Sequence, residues 1–368
     1  MSPLIDPRAE VAPLRLFVLC DRPSASQEVH LFRAFRRLRQ AGRCALQIYS
    51  EADAAAAVAA CGQDWIGPVL DRFQPQALIF SRFAGESAEA AIDAAVAREL
   101  PVITHLDDFL LEVPPDLGPE KVRQHMRPER IRALSATLVR ANVLYISTPA
   151  LADKVRQAGF AAPVVISHLQ SCADPEEIAS PPPCNGEGVV VGYQGTRNHG
   201  HDLRMITPAL LAALGARPAV TLELFGTIEP PEELLTLGPR LRRVPPSADY
   251  GAFLQTLRER RWHIGLAPLR PIAYNTYRTF TKWTEYTIAG VAALASDCVV
   301  YRPVMTGGAG VLVKDGDWEH ALLSAIDDRD VRIRMVTTAQ DLLRSSYTLE
   351  QQEQQVLAML DQAMSVRV

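Results

Sequence analysis

WHIGLAPLRPIAYNTYRTFTKWTEYTIAGVAALASDCVVYR, residues 262–302, reads as strand, loop, helix, strand and loop. The apolar run 263–269 is strand-like and is broken by Pro268, Arg270 and Pro271. Residues 275–289 carry helical spacing that stops at Gly290, and 291–295 is a second apolar run. The polar residues gather at the strand-to-helix corner: Asn275, Arg278, Thr279, Lys282 and Glu285. In an open parallel sheet, ligands bind outside the carboxyl ends of strands, and helix N-termini there favour phosphate. A basic pair followed by one glutamate at such a corner suits an anionic, phosphate-bearing ligand.

Working outward, the same alternation fills the chain. In the first half, strand-like runs at 14–20, 44–49, 77–81, 102–105, 143–147 and 164–167 are separated by helical stretches. One of these, 27–40, is followed by Arg43, and another, 120–140, is interrupted near Pro128. Residues 172–188 carry Pro175, Pro181, Pro182, Pro183, Gly186 and Gly188 without periodicity, which is linker chemistry. After it, strand candidates recur at 189–193, 220–225, 241–244, 263–266, 291–295 and 311–313. Alternation of this type predicts an α/β chain with two doubly wound parallel sheets and a cleft between them, the default binding site. The expected boundaries are 1–171, a linker at 172–188, a second domain at 189–348 and a final helix in 349–368.

Composition narrows the classes of function. The 368 residues suit two domains, and a net charge of −4 gives no reason to expect a nucleic-acid partner. Cys20, Cys44, Cys61, Cys172, Cys184 and Cys298 are scattered, with no Cys-x-x-Cys, as in a reduced cytoplasmic protein. The N-terminus, MSPLIDPRAEVAP, lacks the apolar stretch of a signal peptide. No apolar run approaches the roughly 20 residues a membrane span needs. HLFRAFRRLRQAGR, 30–43, sets five arginines among apolar residues, a pattern that suits either peripheral contact with an anionic membrane or a solvated basic face. His199 and His201 lie two apart without a third ligand nearby, so no metal is expected.

Asn275, Arg278, Thr279, Lys282, Glu285 and Tyr286 resemble the Asn-x-x-Lys-Ser-x-x-Lys-x-x-Glu-Tyr segment of GT-B glycosyltransferases, with Arg for Lys and Thr for Ser. The similarity is to the large retaining family that builds bacterial surface polysaccharides, and Gly290 to Asp297 matches the strand that follows in it. It implies two Rossmann-like domains with a last helix crossing back to the first. It also implies transfer of a sugar from a nucleotide-sugar donor to a glycan or lipid-linked acceptor, with retention and without a metal. Glu285 would then accept from the ribose hydroxyls, a task suited to a carboxylate because it can take two at once. Arg278 and Lys282, four apart and expected on one helix face, would neutralise the diphosphate.

The resemblance has gaps. The family's usual Arg and Lys after the first strand of the second domain fall on Gln194 and His199, and one of its glutamates falls on Tyr277. A Gly-Thr-x-x-His-x-x-Asp-Leu pattern survives at Gly195, Thr196, His199, Asp202 and Leu203, which places Gly195, Thr196 and His199 near the donor. In the first domain, VITHLDDFLLEVP brings Asp107 and Asp108 to a strand end, and His105 corresponds to a histidine that reaches the transferred sugar. The plain structural alternatives are a helix cap for the aspartates and a core histidine. Two other functions stay open: a sugar-nucleotide epimerase, and a GT-B module that binds a glycan or partner without turnover.

Overall fold

A computed structural model describes residues 12–182 and 188–366 of the chain. MSPLIDPRAEV, Pro183, Cys184 and Gly186 therefore lie outside the described residues. Among those described, β1 (Leu14–Cys20), β2 (Cys44–Ser50), β3 (Ala77–Ser81), β4 (Val102–Leu106), β5 (Val143–Ile146) and β6 (Val164–Ile166) form one sheet in the order β2-β1-β3-β4-β5-β6. β7 (Val190–Gly195), β8 (Thr221–Gly226), β9 (Leu241–Val244), β10 (Ile264–Ala267), β11 (Ala292–Ser296) and β12 (Val311–Val313) form the second, in the order β12-β11-β10-β7-β8-β9. Every pairing in both sheets is parallel.

Both orders reverse at a definite place. The first sheet reverses between β1 and β3. The second has the 3-2-1-4-5-6 order of a dinucleotide-binding sheet and reverses between β7 and β10. These switch points put the ends of β1, β3, β7 and β10 at the mouths of two crevices.

The inner strands are largely apolar because helices cover both faces, whereas the edge strand β9 carries exposed Arg242 and Arg243. In the first sheet, one face packs Phe17, Leu78, Phe80 and Leu144 against the helices of 51–155, and the other packs Leu16, Val18 and Tyr145 against Phe35. The latter core is completed by Val356, Met359, Leu360 and Ala363 of the Leu349–Ser365 helix, which thus crosses back from the second domain to the first. In the second sheet two glycines are required by packing. A Cβ on Gly192 would fall 1.9 Å from the Trp262 ring, and one on Gly265 would fall 2.7 Å from Tyr286. Gly290, at φ +73, ends the Thr281–Ile288 helix in the left-handed conformation that glycine adopts without strain.

Several arginines of the 30–43 segment are committed to ion pairs within the fold, while Arg36 and Arg43 keep about half of their side-chain surface exposed. Helix 25–40 contains a π turn at Glu28–Phe32. Buried Arg33 donates to the Cys172 carbonyl at 2.7 Å and pairs with Glu177. Arg37 pairs with Asp174 and Glu353, and Arg36 with Glu28. Arg33 and Arg37 thus fasten the first domain to the 172–188 linker (the hinge), and Arg37 also to the last helix, while Arg36 pairs within its own helix. The hinge itself includes an ordered turn, Pro175–Glu177, closed by a capping box on Asp174. Cys20, Cys44, Cys61, Cys172 and Cys298 are free thiols.

Candidate active site

On the second-domain wall, β7 ends at Gln194 and Gly195, and a short turn, Arg197–His199, leads into the Gly200–Ala216 helix. His199 Nδ1 lies 3.4 Å from Asp202 Oδ2, while Asp202 Oδ1 accepts from the Arg270 amide at 3.0 Å. Burial, with Lys282 and Arg278 nearby, pulls the His199 imidazole down to about 4 despite Asp202, so it is neutral at pH 7.

Residues 275–289 are not the single helix expected from their spacing. Asn275 is buried, and its side chain donates 2.9 Å to the Arg270 carbonyl, closing a turn at Ala273–Tyr277. Arg278 then takes an extended conformation (φ −65, ψ 161), and the helix begins only at Thr281. Arg278 and Lys282 therefore do not share a helix face, yet both line the cleft. Lys282 Nζ donates to the Gln194 carbonyl at 2.9 Å and sits 5.5 Å over the Tyr193 ring. Its burial outweighs the pull of Glu285 and Asp202 and lowers its pKa to about 8. Thr279 lines the same wall, its hydroxyl 2.8 Å from that of Thr281. Asn275 does not reach the cleft; its role here is to shape the turn.

Glu285 is 4% exposed and accepts 2.6 Å from Gln194 Nε2, with the Tyr250 hydroxyl beside it. Burial pushes its carboxyl up to about 7 against the opposing charge of Lys282.

The first-domain wall is a charge cluster at the ends of β1, β3 and β4. Arg82 follows β3 in a left-handed conformation, φ 58. Its guanidinium donates 2.7 Å to Asp107 and lies 3.3 Å from Asp21. Burial alone would raise the Asp107 pKa, but Arg82 holds it well below the usual carboxylate range. Asp108 pairs with Lys121 at 3.0 Å and faces Arg278 of the other domain at 3.6 Å.

His105 is not at this surface. It is fully buried in β4, its Nδ1 2.9 Å from Ser81 Oγ, and burial drives its pKa down to about 3. His30 stands in front of it, with ring centroids 5.2 Å apart, and lines the cleft instead. The structure thus places His105 behind His30 and away from the cleft lining, not at the surface where a sugar contact was expected. A residue inside a strand, between flanking residues that fill the two faces, is walled in by the sheet.

Two cavities meet here. The larger, about 700 Å³, is polar and lies between the domains, lined by Asp21, Arg82, Asp108, His199, Arg278 and Lys282 among others. The smaller, about 380 Å³, is walled by Phe225, Tyr250, Phe253 and Pro246. Phe225 stacks on Phe253 at 5.1 Å and Tyr250 on Phe253 at 5.8 Å. Gln194, Gly195, Thr196 and Glu285 line both cavities.

Residue spacing had not pointed to Arg82, Lys121, His30, Tyr250 or Phe253. Arg82 was findable, since it directly follows a strand at a switch point. The others come from helices or turns whose placement depends on the packed fold.

Among the described residues, no helix is long and apolar enough to cross a membrane, and no three histidine, cysteine or carboxylate side chains form a metal-holding group. No protein-family model matches the chain, and no curated protein matches it in sequence. Solved structures do match. Anabaena Alr3699/HepE in complex with UDP is 15% identical, with a TM-score of 0.64 over 95% of this chain and 99% of that one. An E. coli trehalose-6-phosphate structure bound with UDP-2-fluoro glucose is 13% identical, with a TM-score of 0.61 over 95% and 99%. A putative UDP-N-acetylglucosamine 2-epimerase from Listeria monocytogenes is 13% identical, with a TM-score of 0.57 over 95% and 96%. At such identities the likeness is one of fold, and it agrees with the two sheets, their cleft and the returning helix: the chain has the GT-B fold of glycosyltransferases.

Proposed function

We propose that this protein transfers a sugar from a nucleotide-sugar donor to a glycan or lipid-linked acceptor, with retention and without a metal. One observation carries the reading: an aromatic slot and a polar cleft that presents Arg278 and Lys282 open into each other at Glu285 and Gln194. That is the layout a nucleotide sugar requires. The base enters the slot beside Phe253 and Tyr250, where ring stacking is available. The ribose hydroxyls donate to Glu285. The diphosphate meets Arg278, Lys282 and the backbone N–H groups of the Gly195–Thr196 corner. The sugar then lies toward His199 and the first-domain wall of Asp107 and Asp108.

The reaction follows from this placement. The bond between the anomeric carbon and the phosphate oxygen breaks, and Arg278 and Lys282 stabilise the charge that develops on the leaving diphosphate. The acceptor hydroxyl attacks on the same face, and its proton passes to a leaving phosphate oxygen. Preorganised side-chain cations supply the counter-charge that a metal would otherwise provide. The likeness to HepE and the E. coli structure, whose ligands include UDP or a UDP sugar, supports the donor class.

The fold is also shared with a putative 2-epimerase, which supports a second reading. One assay separates the two: incubation with UDP-, GDP-, ADP- and dTDP-sugars and a mixed glycan acceptor fraction. Release of nucleoside diphosphate with glycan extension is the expected result. A new epimeric nucleotide sugar without release would replace transfer by epimerisation. Tight binding with neither product would leave a binding module.

A further inference from the structure

Asp108 and Arg278 face one another across the domain boundary at 3.6 Å, both lining the cleft and both largely shielded from water. The contact is close enough for attraction but falls short of a hydrogen bond. Asp108 Oδ1 and Arg278 Nε are each buried without a hydrogen-bond partner. A buried polar atom left in this state is costly, so each is ready to accept a better partner. Tyr274 lies alongside, with Arg278 5.7 Å and Lys121 5.2 Å from its ring, and holds both cations near the carboxylate. The other oxygen, Oδ2, is firmly held by Lys121 at 3.0 Å and lies 3.9 Å from Arg82. Losing Arg278 would therefore still leave Asp108 paired with Lys121 and held in position.

From this geometry we infer that Arg278 is exchanged between Asp108 and the donor's diphosphate, and that the exchange frees Asp108 Oδ1 to accept a hydrogen bond from a second, non-reacting hydroxyl of the acceptor. The inference rests on the proposed donor reading. Its consequence is an order of binding. Before the donor arrives, Arg278 occupies the carboxylate that the acceptor needs. Once the diphosphate takes Arg278, the acceptor subsite is complete. A carboxylate and a diphosphate competing for one guanidinium also explains why this chain places its arginine on an extended link at the domain boundary, where it can reach either side.

The test uses the full-length protein and calorimetry with UDP, GDP, ADP and dTDP, each compared with its bare nucleoside. If wild type binds none of them, the donor reading fails before the exchange is at issue. If wild type binds one, Asp108→Asn should bind that diphosphate roughly ten-fold tighter, within the range of coupled charged contacts. Its affinity for the nucleoside should be unchanged. The gain should vanish in an Arg278→Gln background. Equal diphosphate affinity in wild type and a folded Asp108→Asn, or a gain that persists without Arg278, overturns the exchange. Should Asp108→Asn not fold, a crystal structure of wild type with the bound diphosphate decides. Arg278 is expected on a phosphate oxygen and away from Asp108. Phosphates held by other residues, with Arg278 still facing Asp108, would refute the inference.

Discussion

Gln194 Nε2 donates to Glu285 Oε2 at 2.6 Å, joining the end of β7 to the Thr281–Ile288 helix at the seam between the aromatic slot and the polar interdomain cleft. Gln194 stands where the resembled family carries a cation. A neutral amide there leaves Glu285 without a full counter-charge at that position, consistent with a carboxyl that burial can push up to about 7. The hydrogen bond instead presents the carboxylate in one orientation.

Replacing Glu285 should therefore weaken the nucleoside part of the donor. Glu285→Ala is expected to cost about 1.5–3 kcal/mol of binding, the range for hydrogen bonds to a charged group. Calorimetry with the nucleoside and its diphosphate checks this. Unchanged affinity in a folded variant would remove Glu285 from the ribose.

Binding should also depend on pH with a definite sign. Glu285 is raised from its usual 4.5 to about 7, so the folded protein keeps this proton where the unfolded chain loses it. Its contribution to stability is complete below 4.5 and fades as pH rises through about 7. Ribose hydroxyls are best accepted by the ionised form, so nucleoside affinity should climb over that same upper limit. Lys282 is lowered to about 8 and loses its charge above that, which weakens diphosphate binding. Affinity for the diphosphate should thus peak between pH 7 and 8. Glu285→Gln should flatten the acid limb and Lys282→Arg the alkaline one. A profile without either limb contradicts both assignments.

Arg278 and Lys282 reach the cleft from different local structures but would act on one charged group. Removing either should reduce diphosphate binding far more than nucleoside binding. The double variant Arg278→Ala/Lys282→Ala should lose less than the sum of the single losses. Wild-type diphosphate affinity in the double variant would move the phosphate contact to Arg197 or His199.

Turnover should survive EDTA if Arg278 and Lys282 serve the diphosphate as proposed. Activity lost in EDTA and restored by Mg²⁺ or Mn²⁺ would give that task to a metal.

Arg33 should matter for stability. It is 6% exposed and links helix 25–40 to Cys172 and Glu177 of the hinge. Its removal takes the cation from Glu177, which keeps the Asp174 amide, and leaves the buried Cys172 carbonyl without its side-chain donor. Arg33→Met is expected to lower stability by roughly 2–4 kcal/mol. Urea unfolding measures it; a change within about 0.5 kcal/mol, as for an ordinary surface position, would mean the pair is incidental.

Local chemistry was enough for the repeated strand–helix alternation, the two-sheet architecture and the corner that holds Arg278, Lys282 and Glu285. Apolar runs, breakers and terminal glycine write those into short windows, and a switch-point corner needs only neighbours in sequence. Long-range packing was needed for the rest. His105 looked available at a strand end, but the sheet and His30 enclose it. Asn275 looked like a ligand contact, but its amide turns inward to Arg270 and breaks the helix that spacing alone implied. Which arginines of 30–43 are held in ion pairs also depended on the fold, because residues 174, 177 and 353 bring carboxylates to Arg33 and Arg37 from far along the chain. Arg82, Lys121 and Asp108 gather from β3, β4 and a helix beyond, and Arg278 joins them from the other domain. Charges so distant in sequence meet only because two sheets turn their carboxyl ends toward one cleft, and no local pattern encodes such a meeting.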